Sequence, residues 1–323
     1  MSYFLLFLAV AAVVDGSGQL ATTVQLFEWS WDDVAAECED FLGPKGFSSV
    51  QISPPMNHIT GDEWWTRYQP VTYELVSRSG TESEFVNMVK RCSAVGVDIV
   101  VDAVINHMAA GSGSSIAGNT YGNRQYPFYG PQDFHHYADN YYANCAVDDY
   151  SNKTNVQSCD LVGLPDLMTS SDYVQGQIAD YINTLYDYGV MGIRIDAAKH
   201  QDATELSGII QRIPSSMFIN QEVIAGAGEA VQPSMYFNLG HVTEFTYANA
   251  VSENIKYEGK MTNLQYVAEG YDSLMPSKNA CAFLDNHDTQ RNGAAPLTYK
   301  DGDVYTFTST FMLAWPYGDN VKP

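Results

Sequence analysis

Seven short apolar runs punctuate the chain, and segments of helical period lie between most of them. The runs are 22-TTVQLFEW-29, 47-FSSVQIS-53, 97-VDIVVDAV-104, 191-MGIRID-196, 217-MFINQE-222, 242-VTEFTY-247 and 280-ACAFLD-285. Short apolar runs rich in β-branched and aromatic residues read as strands. Near-continuous apolarity, rather than alternation, points to parallel strands covered on both faces. Helices are predicted over 31–42, 81–96, 172–189 and 202–213, with one more over roughly 304–315. Thr81 followed by Glu84 forms a capping-box pattern, Asp172 suits an N-cap and Gly189 a stop. This alternation predicts an α/β fold with a parallel sheet or barrel.

Two features break the rhythm. More than sixty residues rich in Gly, Ser, Asn and Tyr separate the third strand from Asp172. A structureless loop of that length is improbable in a compact domain, so an inserted irregular domain is expected over 106–171. The barrel is then expected in two parts, 19–105 and 172–323. Seven strands are also one short of a closed eight-stranded barrel. The pattern therefore predicts an incomplete barrel that lacks its eighth strand and helix, with the outer strands left unpaired.

Composition narrows the partners. There are 16 basic against 38 acidic residues, a net charge of −22. That balance disfavours nucleic acid and anionic membranes, and it suits a neutral substrate with a bound cation. Residues 3-YFLLFLAVAAVV-14 form an apolar run too short to cross a bilayer, followed by 16-GSG-18. They read as a secretory signal peptide over 1–18, so the mature chain is expected to be secreted, with no membrane association. Export favours disulfides among Cys38, Cys92, Cys145, Cys159 and Cys281. An odd count leaves at least one thiol; Cys281, inside an apolar run, is the expected buried one. Asn152-Lys153-Thr154 has the form of a glycosylation acceptor, a pattern that also arises by chance.

The chemistry sits at the ends of the runs. Asp196 and Glu222 close two of them, and Asp288 follows a third within 283-FLDNHDTQR-291. Burying ionised carboxylates is costly, so acids at the ends of buried strands require a reason. The carboxyl ends of barrel strands gather catalytic residues, and glycoside hydrolysis needs one acid with one nucleophile or base. Arg194 lies two residues before Asp196 and faces the same way along a strand, where a cation holds a carboxylate ionised. A structural ion pair is the plain alternative for that pair alone. Asp102, Asn106 and His107 mark another strand end, and Asn286 and His287 accompany Asp288.

Together these segments resemble the animal-type branch of the alpha-amylase family of retaining glycoside hydrolases. The matching stretches are 24–55, 101-VDAVINHM-108, 159-CDLVGLPDL-167, 192-GIRIDAAKH-200, 220-NQEVI-224 and 283-FLDNHDTQR-291. The resemblance implies a TIM-type (β/α)8 barrel and endo-hydrolysis of alpha-1,4-glucan such as starch and glycogen. It implies Asp196 as nucleophile, Glu222 as general acid and base, and Asp288 as the third carboxylate. His107, His287 and Arg194 would support substrate and nucleophile. Lys199 and His200 would line the aglycone side. Trp64, Trp65, Tyr68 and Gln69 would form the glycone platform, with Tyr150 a lesser candidate.

The resemblance further implies calcium held by Asn106, Gln157, Asp166 and His200, the second and fourth through backbone carbonyls. Oxygen ligands suit that hard cation. Chloride is implied at Arg194 and Asn286, with the third donor expected beyond this chain. Cys38 would pair with Cys92, and Cys145 with Cys159. A monomer is expected. The family's glycine-rich loop after Arg291 is replaced by 292-NGAAPLTY-299, which departs from the pattern. The usual C-terminal β-sandwich is expected to be absent. The rival readings are a catalytically incompetent, truncated fragment or glucan-binding protein, and a neighbouring alpha-glucosidase specificity.

Overall fold

The computed structural model describes residues 21–256 and 260–322; the expected signal peptide lies outside them. Eight parallel strands form one sheet. In chain order they are β1 (Thr23–Leu26), β2 (Ser49–Ile52), β3 (Asp98–Ala103), β6 (Gly192–Ile195), β7 (Phe218–Gln221), β8 (His241–Glu244), β9 (Ala280–Phe283) and β10 (Asn320–Lys322). The remaining pair, β4 (Ser112–Ser114) with β5 (Thr120–Gly122), is a small antiparallel hairpin in the segment after β3.

The seven expected strands are all present, and the expectation that the eighth is missing is overturned. β10 runs parallel to β9 and reaches β1 through the bridge between Thr22 and Val321. The Val321 amide donates to the Ala21 carbonyl at 2.9 Å. Hence the strands expected to present open edges meet across β10. The described residues include no eighth helix after β10.

The eighth strand escapes a hydrophobicity reading because it is short and polar inside. Asn320 and Lys322 point into the barrel and are buried, whereas Val321 is partly exposed. The layer they complete is itself polar. Asn320 Nδ2 donates to Thr23 Oγ1 at 2.9 Å, and Thr23 Oγ1 lies 2.7 Å from Ser49 Oγ. The Cys281 thiol donates to Asn320 Oδ1, and Lys322 Nζ donates to Gln51 Oε1 at 2.9 Å. Pairing makes such a layer tolerable, since buried polar groups are costly only when unpartnered.

The apolar core lies outside this layer, between strands and helices. Val50, Ile52, Ile99, Val101, Ile193 and Ile195 are buried there with Val34, Phe85, Val89, Ile178 and Ile182. Each such side chain contributes about 1.5–3 kcal/mol relative to exposure. The helix Glu82–Ala94 starts at the anticipated capping box, with Thr81 N donating to Glu84 Oε2 at 2.7 Å. The first helix is interrupted: Trp31–Glu37 is α-helical and Cys38–Leu42 continues as a π turn. Helix Asp172–Asp187 has Ser171 rather than Asp172 at the N-cap position.

The disulfides are Cys38–Cys92 and Cys145–Cys159, and Cys281 is free and buried. Burial pushes the Cys281 thiol up to about 11. The first disulfide joins the π turn to the helix Glu82–Ala94. The second braces the segment after β3 beside the short helix Lys153–Ser158, which Asn152 caps.

Candidate active site

Strand alternation and register bring three carboxylates to one guanidinium. Arg194 pairs in register with Asp102 on β3 and with Asn220 on β7, and Asp196 lies two residues beyond it. Arg194 Nη1 reaches Asp102 Oδ1 at 2.5 Å and Asp196 Oδ1 at 2.8 Å, and its Nη2 reaches Glu222 Oε1 at 2.5 Å. All four residues are buried. Burial pushes the Asp196 carboxyl well above its ordinary range; Arg194 opposes this, and Glu222 and Asp102 add to it. Asp102 is raised chiefly by burial as well. One guanidinium thus serves Asp102 and Asp196, both raised by burial, and also Glu222.

The turn after Asp196 is bent to serve Glu222. Ala197 adopts left-handed dihedrals, φ 49° and ψ 32°, which cost a non-glycine residue on the order of 1 kcal/mol. In that conformation its amide donates to Glu222 Oε2 at 2.9 Å. The Lys199 amide also donates to the Glu222 carbonyl at 3.1 Å. The strained backbone therefore fixes one acid relative to the other.

Asp288 stands at the third strand end, in the first turn of the helix His287–Asn292. Burial raises its carboxyl to about 6, helped by the Glu222 charge and opposed by Arg194. His287 is pushed down to about 2 by burial and by surrounding cations, so its ring is neutral. Gln25 Nε2 lies 3.2 Å from His287 Nδ1, which must accept. Nε2 then carries the proton, 3.2 Å from Asp288 Oδ2.

Aromatic rings wall one side. Phe27 and Tyr68 stack on His287 at 4.6 Å and 5.2 Å, and Trp64 meets Phe27 and Tyr68 edge-on at 6.0 Å. The Tyr68 hydroxyl donates to Asp102 Oδ2 at 2.8 Å. Trp65 is 45% exposed, free to meet a ligand. Arg291 lies over Phe27 at 4.6 Å and over Trp64 at 5.5 Å.

Two expected contact residues face inward. His107, lowered to about 4 by burial, donates from Nε2 to the Tyr68 carbonyl at 3.0 Å and accepts from Asn106 at Nδ1. Gln69 Oε1 accepts from the Ala110 amide at 3.1 Å. Both hold the wall from behind.

On the opposite side Lys199 Nζ pairs with Glu229 Oε2 at 2.5 Å and lies 4.3 Å over the Tyr150 ring. His200 Nδ1 donates to the Val156 carbonyl at 2.8 Å and its ring meets Tyr150 edge-on. Glu229 was not anticipated. It sits in 225-AGAGEA-230, where nothing in the spacing marks it. A cavity of 620 Å3, bounded by Ala225, Gly226, Phe237, Asp272 and Met275, adjoins this loop.

The residues expected around calcium lie at the junction of β3 and the following segment. Asn106 Oδ1 and Asp166 Oδ1 are buried without hydrogen-bond partners. Burial raises Asp166 to about 7 although its other oxygen pairs with His135 Nδ1 at 2.7 Å. The His200 ring is tied to the carbonyl of Val156, the residue before Gln157, whose side-chain amide donates to the Gln201 carbonyl and the Tyr236 hydroxyl. Among the described residues no three His, Cys, Asp or Glu gather as a metal cluster. Two buried oxygens without hydrogen-bond partners do fit a hard cation.

A further cation lies near Arg194, one of the two residues expected to hold chloride. Lys322 is buried in the barrel, and burial and the charge of Arg194 both lower its ammonium, to about 8. It is a second cation near Arg194, and Gln51, its hydrogen-bond acceptor, is neutral. Asn286 Oδ1 accepts from the amides of Asp288 and Thr289, capping their helix.

This geometry has close relatives. An alpha-amylase of Streptomyces violaceus is 45% identical over 303 residues, covering 93% of this chain and 52% of its own length. The pancreatic alpha-amylase of Sus scrofa is 44% identical over 323 residues, covering 91% of this chain and 63% of its own. The crystal structure of alpha-amylase I from Eisenia fetida matches with a TM-score of 0.87 at 38% identity, over 94% of this chain and 66% of that one. A mutant of that Eisenia fetida enzyme was solved in complex with maltohexaose. The chain spans about half to two thirds of the length of these relatives. The family model of the alpha-amylase catalytic domain matches residues 40–223, more than half of the chain. By that match, the chain belongs to the alpha-amylase family.

Proposed function

We propose that this chain hydrolyses internal alpha-1,4-glucosidic bonds of starch and glycogen by a retaining double displacement. The observation that carries the reading is the single guanidinium of Arg194 shared by Asp196 and Glu222. Retaining hydrolysis needs two carboxyls close together, with a separation of about 5–5.5 Å. Asp196 attacks the anomeric carbon and the glycosidic bond breaks. Glu222 gives its proton to the departing oxygen. Glu222 then takes a proton from water, the resulting hydroxide adds to the anomeric carbon, and Asp196 leaves. Asp288 offers negative charge to the oxocarbenium-like transition state. The aromatic wall of Trp64, Trp65 and Tyr68 receives the glycone, and Lys199, Tyr150 and Glu229 flank the aglycone.

The test is the purified chain on soluble starch, reading reducing ends and the anomer first released by NMR. The alpha anomer from internal cleavage is expected. Inverted product, or no release above a buffer control, overturns the reading. The same assay carries a pH prediction. Asp288, raised to about 6, must be ionised to act and faces Glu222, Asp102, His287, Arg194 and Arg291. Since the anion forms above that value, kcat/KM falls as pH drops through about 6. Asp288→Asn should lower the rate and change the shape of that limb, leaving the part set by the ionisation of Asp196. A parental profile flat from neutrality down to the ordinary carboxylate range would exclude the assignment.

Calcium at Asn106, Gln157, Asp166 and His200 fits the orphaned oxygens. When bound it supplies positive charge that ties the segment after β3 to the barrel. A ligand at a hundredfold excess over its Kd stabilises by about 2.7 kcal/mol, so chelation should lower Tm by about 4 °C in a chain of this size. Asn106→Ala should abolish that shift. An unchanged Tm after chelation of metal-loaded protein counts against the site. Chloride at Arg194, Asn286 and Lys322 would supply a negative charge between two buried cations. Export as a monomer completes the reading, and the two disulfides suit an oxidising compartment.

A further inference from the structure

Glu28 stands two residues past β1 with φ 70°, a left-handed conformation that a glutamate adopts only under constraint. Its carboxylate grips two arginines at once. Oε1 meets Arg67 Nε at 2.5 Å and Oε2 meets Arg78 Nη2 at 2.5 Å. The Glu28 amide donates to Ser53 Oγ at 2.8 Å, which anchors the turn to the barrel.

Both arginines brace the aromatic wall. Arg67 lies within the short 3-10 helix Trp64–Tyr68, is only 2% exposed, and donates to Ser79 Oγ at 2.9 Å. Arg78 donates to the carbonyls of Gly61 and Glu63 at 2.7 and 3.0 Å and to Thr66 Oγ1 at 3.2 Å. Together they hold the loop 61–68 from both ends. Phe27, adjacent to Glu28, sits against Trp64 and stacks on His287. One carboxylate thus fixes the loop that carries Trp64, Trp65 and Tyr68, and the neighbouring residue supplies the ring that Trp64 packs against.

Removing that charge leaves two guanidiniums facing each other, one of them buried. Burial already lowers Arg67, and Arg78 lowers it further, whereas Glu28 opposes both. Breaking one partner of a buried pair is far more damaging than the pair is worth. The loop would then relax away from the barrel.

We propose that Glu28 is a positioning residue for glucan binding: through Arg67 and Arg78 it pre-sets the loop 61–68 so that Trp64, Trp65 and Tyr68 meet the glycone. The proposal rests on the hydrolase reading above and concerns ground-state binding rather than the bond-breaking step. Loss of uniform binding raises KM and leaves kcat nearly unchanged.

The experiment compares the parent chain with Glu28→Gln and with Arg78→Gln, whose arginine is partly exposed and whose loss is gentler. On soluble starch each variant should raise KM by about tenfold to a hundredfold, with kcat within about twofold. Hydrogen exchange followed by mass spectrometry should show faster exchange confined to 61–69. The double variant should be no worse in KM than Glu28→Gln alone, because both residues act through one clamp. Parental KM in both single variants overturns the proposal. So does acceleration of exchange throughout the barrel, which marks a merely structural ion pair. If the parent releases no sugar, the hydrolase reading fails. The exchange readout then still decides whether the clamp holds the loop.

Discussion

Asp196→Asn should abolish hydrolysis while leaving the fold and glucan binding in place. The expected fall in kcat is on the order of 10^4-fold or more, the scale seen when a covalent nucleophile is removed. An amide keeps the shape of the carboxyl but cannot form the ester to the anomeric carbon. The surroundings tolerate the exchange, because Arg194 retains Asp102 and Glu222 as partners. Asp196 is also a desolvated carboxyl that burial already pushes toward neutrality. Replacing it by a neutral group removes a strained charge, so Tm should hold or rise. The check pairs a starch assay with calorimetric titration of a maltooligosaccharide. Near-parental turnover would sink the nucleophile assignment. Loss of binding together with turnover would mean that Asp196 shapes the site rather than reacts in it.

The elements that sequence reading finds are those whose physics is local. β2, β3 and β6 are legible because Val50, Ile52, Ile99, Val101, Ile193 and Ile195 face the helices in short apolar runs. The carboxyls are legible because they close such runs. What escapes notice depends on partners far along the chain. Lys322 and Gln51 are 271 positions apart, and Asn320 and Thr23 are 297 apart. No window over the sequence can see that Asn320-Val321-Lys322 completes a polar ring, because each residue there looks like loop. The counting argument for an open barrel therefore failed at the strand with the least apolar surface.

The same reason separates the site residues. Asp196 and Arg194 lie in one strand, so their shared face follows from alternation alone. Glu28 with Arg67 and Arg78, and Lys199 with Glu229, join separate loops. Their pairing is a product of the fold. His107 and Gln69 show the converse. Their place near the site was legible, but the direction of their polar atoms, toward the Tyr68 carbonyl and the Ala110 amide, was not. A site on a barrel rim is thus built from two populations: reactive groups set by strand periodicity, and braces set by tertiary contact.

Glu222→Gln should divide substrates by their leaving group. On starch the departing sugar oxygen is a poor leaving group, so loss of the proton donor should lower kcat by about 10^2- to 10^4-fold. An aryl maltooligoside with an activated phenol needs little protonation as it departs. Its first step should proceed at close to the parental rate, seen as a burst of phenol. The second step still lacks its general base, so the steady state should remain slow unless a small anion such as azide replaces water. The structure favours a clean comparison. Gln can keep an oxygen toward the Ala197 amide, where Glu222 Oε2 now accepts at 2.9 Å. Its amide nitrogen would then face Arg194, a donor against a donor, at the position of the present 2.5 Å contact. That local mismatch costs about 1–3 kcal/mol of stability and explains any modest fall in Tm without invoking chemistry. It acts equally on both substrates, so the ratio of their rate losses isolates proton transfer. If the activated glycoside loses as much first-step rate as starch does, Glu222 is not the acid.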